Sequence, residues 1–155
     1  MEYYFAPMEG VTGAEYRAVH HRHFPGVDRY YMPFITPTQD RVFTPRELRN
    51  IAPERNVGYC AVPQLLTKNA GDFNWAAGEL WAMGYDEVNL NLGCPSGTVT
   101  AKGKGAGMLA DLEGLDRFLD GIFSAARGKI SVKTRLGLRD PEEIFPLLER
   151  FARYP

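Results

Sequence analysis

Val88-Asn89-Leu90-Asn91-Leu92-Gly93-Cys94-Pro95 is the stretch from which the fold of this chain is read. Val88, Leu90 and Leu92 alternate with Asn89 and Asn91, the period-two pattern of a strand whose side chains point to opposite faces. Both amides therefore share one face. Two amides aimed into a strand-built interior cost free energy unless polar groups meet them there. Gly93 lets the chain turn, Pro95 fixes the exit, and Cys94 stands at the lip. A strand ends in this way when its last residues present chemistry rather than packing.

On either side of this strand the pattern changes to helix. Upstream, Asn69 caps a helix whose stripe is Phe73, Ala76, Ala77 and Leu80, and Gly84 ends it. Downstream, Asp111 caps a helix carrying Leu112, Leu115, Phe118, Leu119, Ile122 and Phe123, and Gly128 stops it. Lys129 to Arg135 then reads as a strand. Asp140, Pro141 and Glu143 form a cap for a last helix striped by Ile144, Leu147, Leu148 and Phe151, with Pro146 expected to kink it or delay its start. Nearer the start, strands are expected at Tyr3 to Met8, Asp28 to Phe34 and Val57 to Val62, the last running into Pro63-Gln64-Leu65. Thr12 and Glu15 read as a capping box for a helix over Gly13 to Phe24, and Pro45 to Arg49 as a short helical turn.

The sum is about five strand-helix units with near-continuous apolar strands, hence an α/β fold on a parallel sheet. Pattern alone leaves open a doubly wound sheet or a (β/α)8 TIM-type barrel. Met8, Gln64, Asn91, Cys94, Lys133 and Arg135 all fall near the C-terminal ends of different strands, as a barrel active face requires. Such a barrel takes about 250 residues, and the chain has 155. It is therefore read as an incomplete barrel, the N-terminal part, with open edges that offer pairing surfaces for a homodimer.

Composition narrows the class. Hydrophobic residues make up 45% and aromatics 12%, suited to a globular core, and the net charge of −1 advertises no nucleic-acid partner. No apolar run approaches the roughly 18 residues that span a membrane, and no secretory signal opens the chain. Two cysteines make no disulfide framework, so a cytoplasmic setting is expected. Cys60 reads as a core residue in mid-strand. His20, His21 and His23 lack an acidic or thiol ligand beside them and read as surface residues, so no metal is expected. Trp75 and Trp81 read as helix packing. The loop from Gly97 to Gly107 matches neither phosphate-binding glycine pattern and reads as a flexible basic loop carrying Lys102 and Lys104.

Taken together, Ala6-Pro7-Met8-Glu9-Gly10-Val11, Gln64-Leu65, Asn91-Leu92-Gly93-Cys94-Pro95, Gly105 to Leu109 and Lys133-Thr134-Arg135-Leu136-Gly137 resemble the tRNA-dihydrouridine synthases. The resemblance covers the whole chain, and its most specific part is Asn-x-Gly-Cys-Pro. It implies an FMN-binding barrel followed by a helical domain, before which this chain ends, and NADPH-driven reduction of uridine in tRNA. It assigns proton donation to Cys94. A free thiol, with an ordinary pKa of about 8.5, is protonated near neutrality and suited to that task.

The resemblance also places Lys133 at the flavin N1–C2=O edge, where an ammonium stabilises the charge of the reduced ring, and Arg135 near the substrate uracil. It gives Gln64 the flavin pyrimidine edge, Pro7, Met8 and Glu9 the isoalloxazine, and Asn91 the base or the flavin. Lys102 and Lys104 would each contact a tRNA phosphate. Plainer readings stand beside these: a salt bridge for Lys133 and Arg135, a capped strand end for Gln64, a solvated loop for the two lysines. Two other functions remain open, an FMN barrel acting on a free pyrimidine, of the dihydroorotate dehydrogenase kind, and a non-catalytic barrel fragment. Barrels of this kind often seat phosphate after strands seven and eight, so weak or no FMN retention and no turnover are expected of the chain alone.

Overall fold

In the computed structural model, which describes residues 1–155, strands and helices alternate along the chain. Strands β1 (Tyr4–Phe5), β2 (Arg29–Tyr31) and β3 (Ala61–Val62) form one parallel ladder. Strands β4 (Gln64–Leu65), β5 (Glu87–Leu92) and β6 (Lys129–Thr134) form a second. Pro63 divides β3 from β4. Proline has no N–H to give to a ladder, and the Pro63 carbonyl accepts instead from the Asn89 N–H at 2.8 Å. A parallel bridge between Ile35 and Leu65 supports the junction. Neighbours in the sheets follow chain order with no reversal. A doubly wound sheet reverses its order at a switch point, whereas a barrel keeps sequential neighbours. The observed order is the barrel's.

Six helices flank the strands: α1 (Ala14–His23), α2 (Pro45–Ile51), α3 (Ala70–Ala82), α4 (Gly97–Thr100), α5 (Leu112–Phe123) and α6 (Ile144–Phe151). Asn69 Oδ1 accepts from the Asp72 N–H at 3.0 Å and Asp111 Oδ1 from the Gly114 N–H at 2.9 Å, which caps α3 and α5 as their sequences require. Asp140 and Glu143 close a capping box over a 3₁₀ turn, Pro141–Glu143, that leads into α6. Pro146 falls in the first turn of α6, where backbone N–H groups have no partner to lose.

The core lies between β4–β6 and the helices α3 and α5. Phe73, Ala76, Ala77 and Leu80 meet Leu115, Phe118, Leu119 and Ile122 over Val88, Leu90 and Leu92. Each such leucine removed from water contributes roughly 1.5–3 kcal/mol. Trp75 and Trp81 pack at its border.

Several local expectations are corrected. β1 and β2 are shorter than the apolar runs that announced them, and Met8 lies in a turn. Thr12 does not cap α1, whose N-cap is Gly13 without a side-chain bond. Thr12 Oγ1 instead accepts from the Met8 N–H at 2.9 Å, while Glu15 pairs with Arg55 at 2.8 Å. The capping box near the start is Thr44 with Glu47, and it extends the expected turn into α2. Cys60 is exposed, because Gly58 turns the chain with φ of 87° and the strand begins only at Ala61. His20 and His21 are half-buried among aromatic rings, with His20 Nδ1 3.0 Å from the Tyr30 hydroxyl. Only His23 is a surface residue.

Candidate active site

The site is built on the face of β5 that carries Glu87, Asn89 and Asn91. Strand register sets Gln64 beside Asn89, Asn89 beside Ser131, and Asn91 beside Lys133. The amides find their polar partners in one another. Gln64 Nε2 donates to Asn89 Oδ1 at 2.7 Å, Asn91 Nδ2 donates to Gln64 Oε1 at 2.8 Å, and Asn89 Nδ2 donates to Ser131 Oγ at 2.8 Å. Gln64, Asn89 and Asn91 are 0%, 2% and 6% exposed, so these bonds replace water almost completely.

At the N-terminal end of this face the Glu87 carboxylate, 5% exposed, accepts from Ser131 and Arg29 and lies 3.5 Å from Lys129 Nζ. The Tyr31 hydroxyl donates to it at 3.2 Å, and burial, reinforced by the Glu87 charge, pushes Tyr31 up to about 12. Tyr4, Ala6, Tyr31, Asn89 and Lys133 line a concave space of about 370 Å³ along the face.

At the C-terminal end the strand opens. Asn91 Oδ1 accepts from the Gly93 N–H at 3.1 Å and the Cys94 N–H at 2.9 Å, so the side chain that faces inward also shapes the exit. Cys94 is half-buried and its carbonyl accepts from the Ala106 N–H at 3.0 Å. Gly105 adopts φ of +56°, and a Cβ there would stand 2.9 Å from the Cys94 carbonyl oxygen; only glycine permits that approach. Lys133 and Arg135 are exposed and form no ion pair with a carboxylate, in contrast to the salt bridge that a charged strand interior suggested.

The chain that carries this arrangement, a cysteine held by an inward asparagine beside a lysine-bearing strand, matches a known family over nearly its whole length. Residues 4–152 fit the family described as "Dihydrouridine synthase (Dus)". The chain belongs to the dihydrouridine synthase family. It is similar to the tRNA-dihydrouridine(16) synthase of Ralstonia nicotianae, 32% identical over 87% of this chain and 43% of the relative. It is also similar to a probable tRNA-dihydrouridine synthase 1 of a Synechocystis species, 28% identical over 88% of this chain and 38% of the relative. A third relative, the tRNA-dihydrouridine(20/20a) synthase of Shewanella oneidensis, is 38% identical over 44% of this chain and 20% of the relative. The chain thus spans less than half the length of these synthases.

Within this chain the expected site residues separate into two groups. Asn91, Cys94, Lys133 and Arg135 gather at the C-terminal ends of β5 and β6, and Gln64, which opens β4, lies level with Asn89. Pro7, Met8 and Glu9 follow β1, across β2 and β3. Met8 spends its backbone on its own turn: its N–H binds Thr12 Oγ1, and its carbonyl accepts from Val11 and Thr12. Glu9 pairs with Arg46 at 3.1 Å.

The loop with Lys102 and Lys104 is folded, not open. It runs through α4 into a 3₁₀ turn, Gly105–Ala110, leaving Lys102 exposed and Lys104 half-buried. Ser131 and Glu87 escaped sequence reasoning, although the 87-89-91 and 129-131-133 alternations place them on the same face. Arg17 escaped it too. It is fully buried and donates to the Thr12 and Asn50 carbonyls and to Asn56 Oδ1, tying the Met8 turn to α2; burial lowers its pKa.

A cavity of about 470 Å³ lies at the opposite end of the sheet beside Cys60 and Tyr85 and contains none of the expected site residues. No group of three or more His, Cys, Asp or Glu side chains could hold a metal ion, and no helix is long and apolar enough to cross a membrane.

Proposed function

We propose that this chain carries the ring-side part of an active site that reduces uridine to 5,6-dihydrouridine in tRNA with FMN and NADPH, and that it supplies about five units of an FMN-binding barrel. The observation that supports this reading most is the meeting of Asn91, the Cys94 backbone and unpaired Lys133 at adjacent strand ends. The side chains suit an isoalloxazine edge. Lys133 is an ammonium with no carboxylate of its own, and Gln64 keeps one N–H and one lone pair after its bonds to Asn89 and Asn91.

FMN, when bound, supplies a hydride to one carbon of the uracil 5,6 double bond. Cys94 gives the proton from Sγ to the other carbon, a positioned acid of the kind that contributes about a hundred- to ten-thousandfold. Asn91 holds the chain that bears Cys94 and offers its remaining N–H to a base or flavin carbonyl. Lys133 neutralises negative charge at the flavin edge. Arg135 faces the uracil, Pro7, Met8 and Glu9 flank the ring, and Lys102 and Lys104 meet tRNA phosphates, where each adds one salt-dependent contact.

The test is a visible spectrum of the chain after addition of FMN and removal of the excess, followed by assay with NADPH. Retained flavin that Lys133→Ala releases supports the ring-side assignment; retained flavin indifferent to Lys133→Ala contradicts it. A colourless protein shows that the ring-side residues by themselves do not hold FMN. In an active preparation, gain of two hydrogens in a tRNA uridine that Cys94→Ala abolishes supports the reaction. Reduction of free orotate with tRNA untouched overturns it.

A further inference from the structure

Five hydrogen bonds join the Cys94 backbone to the Glu87 carboxylate, and all five run in one direction. The Cys94 N–H donates to Asn91, Asn91 Nδ2 to Gln64, Gln64 Nε2 to Asn89, Asn89 Nδ2 to Ser131, and Ser131 Oγ to Glu87. A primary amide turned over exchanges oxygen and nitrogen with little change of shape, so three amides in series have two possible senses. The two ends decide between them. Above, the Gly93 and Cys94 N–H groups only donate, which demands the Asn91 oxygen. Below, the Glu87 carboxylate between Arg29 and Lys129 only accepts, which demands the Ser131 hydrogen. Both ends impose the same sense.

We propose that Ser131 and Glu87 are positioning residues for the site at the far end of the face: through Asn89 they hold the amides of Gln64 and Asn91 in one orientation. Aligned bonds in a buried chain polarise one another, so the lower links stiffen the upper ones. The hydrogens left on Asn91 Nδ2 and Gln64 Nε2 then point where a flipped amide would place an oxygen. A ligand edge against them must accept, as a carbonyl does. Naming that ligand as flavin or uracil rests on the reading above; the orienting role does not.

The experiment is ¹⁵N–¹H spectroscopy of the side-chain amides in the wild-type chain, Ser131→Ala and Ser131→Thr. Ser131→Ala cuts the series and leaves Glu87 with Arg29 and Lys129. The Gln64 and Asn91 amide protons are expected to exchange with water about fivefold faster in Ser131→Ala, the factor carried by one net hydrogen bond, and to recover in Ser131→Thr, which keeps the hydroxyl. A perturbation confined to Asn89, with Gln64 and Asn91 unchanged, overturns the proposal. Titration of the same variants with FMN separates the two readings. Amides that loosen while all three chains bind FMN equally support the orienting role and speak against the flavin assignment. Affinity that falls and recovers with the hydroxyl supports both.

Discussion

The two faces of β5 are buried equally and built oppositely. All six residues from Glu87 to Leu92 are buried. Val88, Leu90 and Leu92 belong to an apolar cluster with residues of α3, α5 and the Gly105–Ala110 turn, and their contribution is proportional to area and indifferent to direction. Glu87, Asn89 and Asn91 meet donors and acceptors one by one, each bond having a sense and a partner. Net, such bonds contribute about 1 kcal/mol each, but an unpaired buried group costs about 1–3 kcal/mol. The dry face therefore sets how stable the strand is, and the polar face sets where its end points. Both demands are met by one strand because its side chains alternate.

This division can be broken by substitution. The largest expected effect is on function: Cys94→Ala lowers tRNA uridine reduction about a hundred- to ten-thousandfold in an active preparation, while the urea midpoint stays near wild type. If the midpoint falls along with turnover, Cys94 belongs to the packing and the division fails at its most important point. On the dry face, Leu90→Ala costs about 2–5 kcal/mol in urea denaturation by opening a cavity between β5 and the helices. The Gln64 and Asn91 amide resonances are expected to keep their positions in the folded fraction.

Asn89→Ala is expected to cost less, about 1–3 kcal/mol, because it strands the Gln64 Nε2 hydrogen. Its signature is the reverse, with large changes at Gln64 and Asn91. The smallest effect is the dependence on alkaline pH. Tyr31 titrates from its ordinary 10.0 in the unfolded chain to about 12 when folded. A raised folded value gives stability that is full below pH 10 and is lost as pH rises toward 12. Tyr31→Phe should reduce the slope of that part of the melting-temperature profile, to which Tyr85 and Tyr154 also contribute, and Leu90→Ala should leave the slope unchanged.

How much of this was legible in advance differs in the same way between the two faces. Asn69, Asp111 and Asp140 announced three helix starts, because a cap acts over three residues and needs no distant partner. The same local pattern misled at Thr12. Its hydroxyl found the Met8 turn, and Arg17, reaching its carbonyl from within α1, holds that turn against α2. Cys60 looked like a core residue because Tyr59, Ala61 and Val62 surround it in sequence; the left-handed turn at Gly58 displaced the strand start and left it exposed.

The sequence by itself determined the period of β5, the shared face of Asn89 and Asn91, and the glycine-cysteine-proline exit, since these depend only on alternation and backbone freedom within a few residues. It also determined that the two amides needed polar company. Which groups supply that company was decided by the tertiary structure alone. Gln64 comes from 25 residues before Asn89 and Ser131 from 42 after it, brought level by the parallel register. The break at Pro63 belongs with these: a residue without an N–H ends one ladder, and the chain around it begins the next. Local steric preference is written in neighbouring residues, whereas hydrogen-bond partners are chosen by strand register, which no single segment contains.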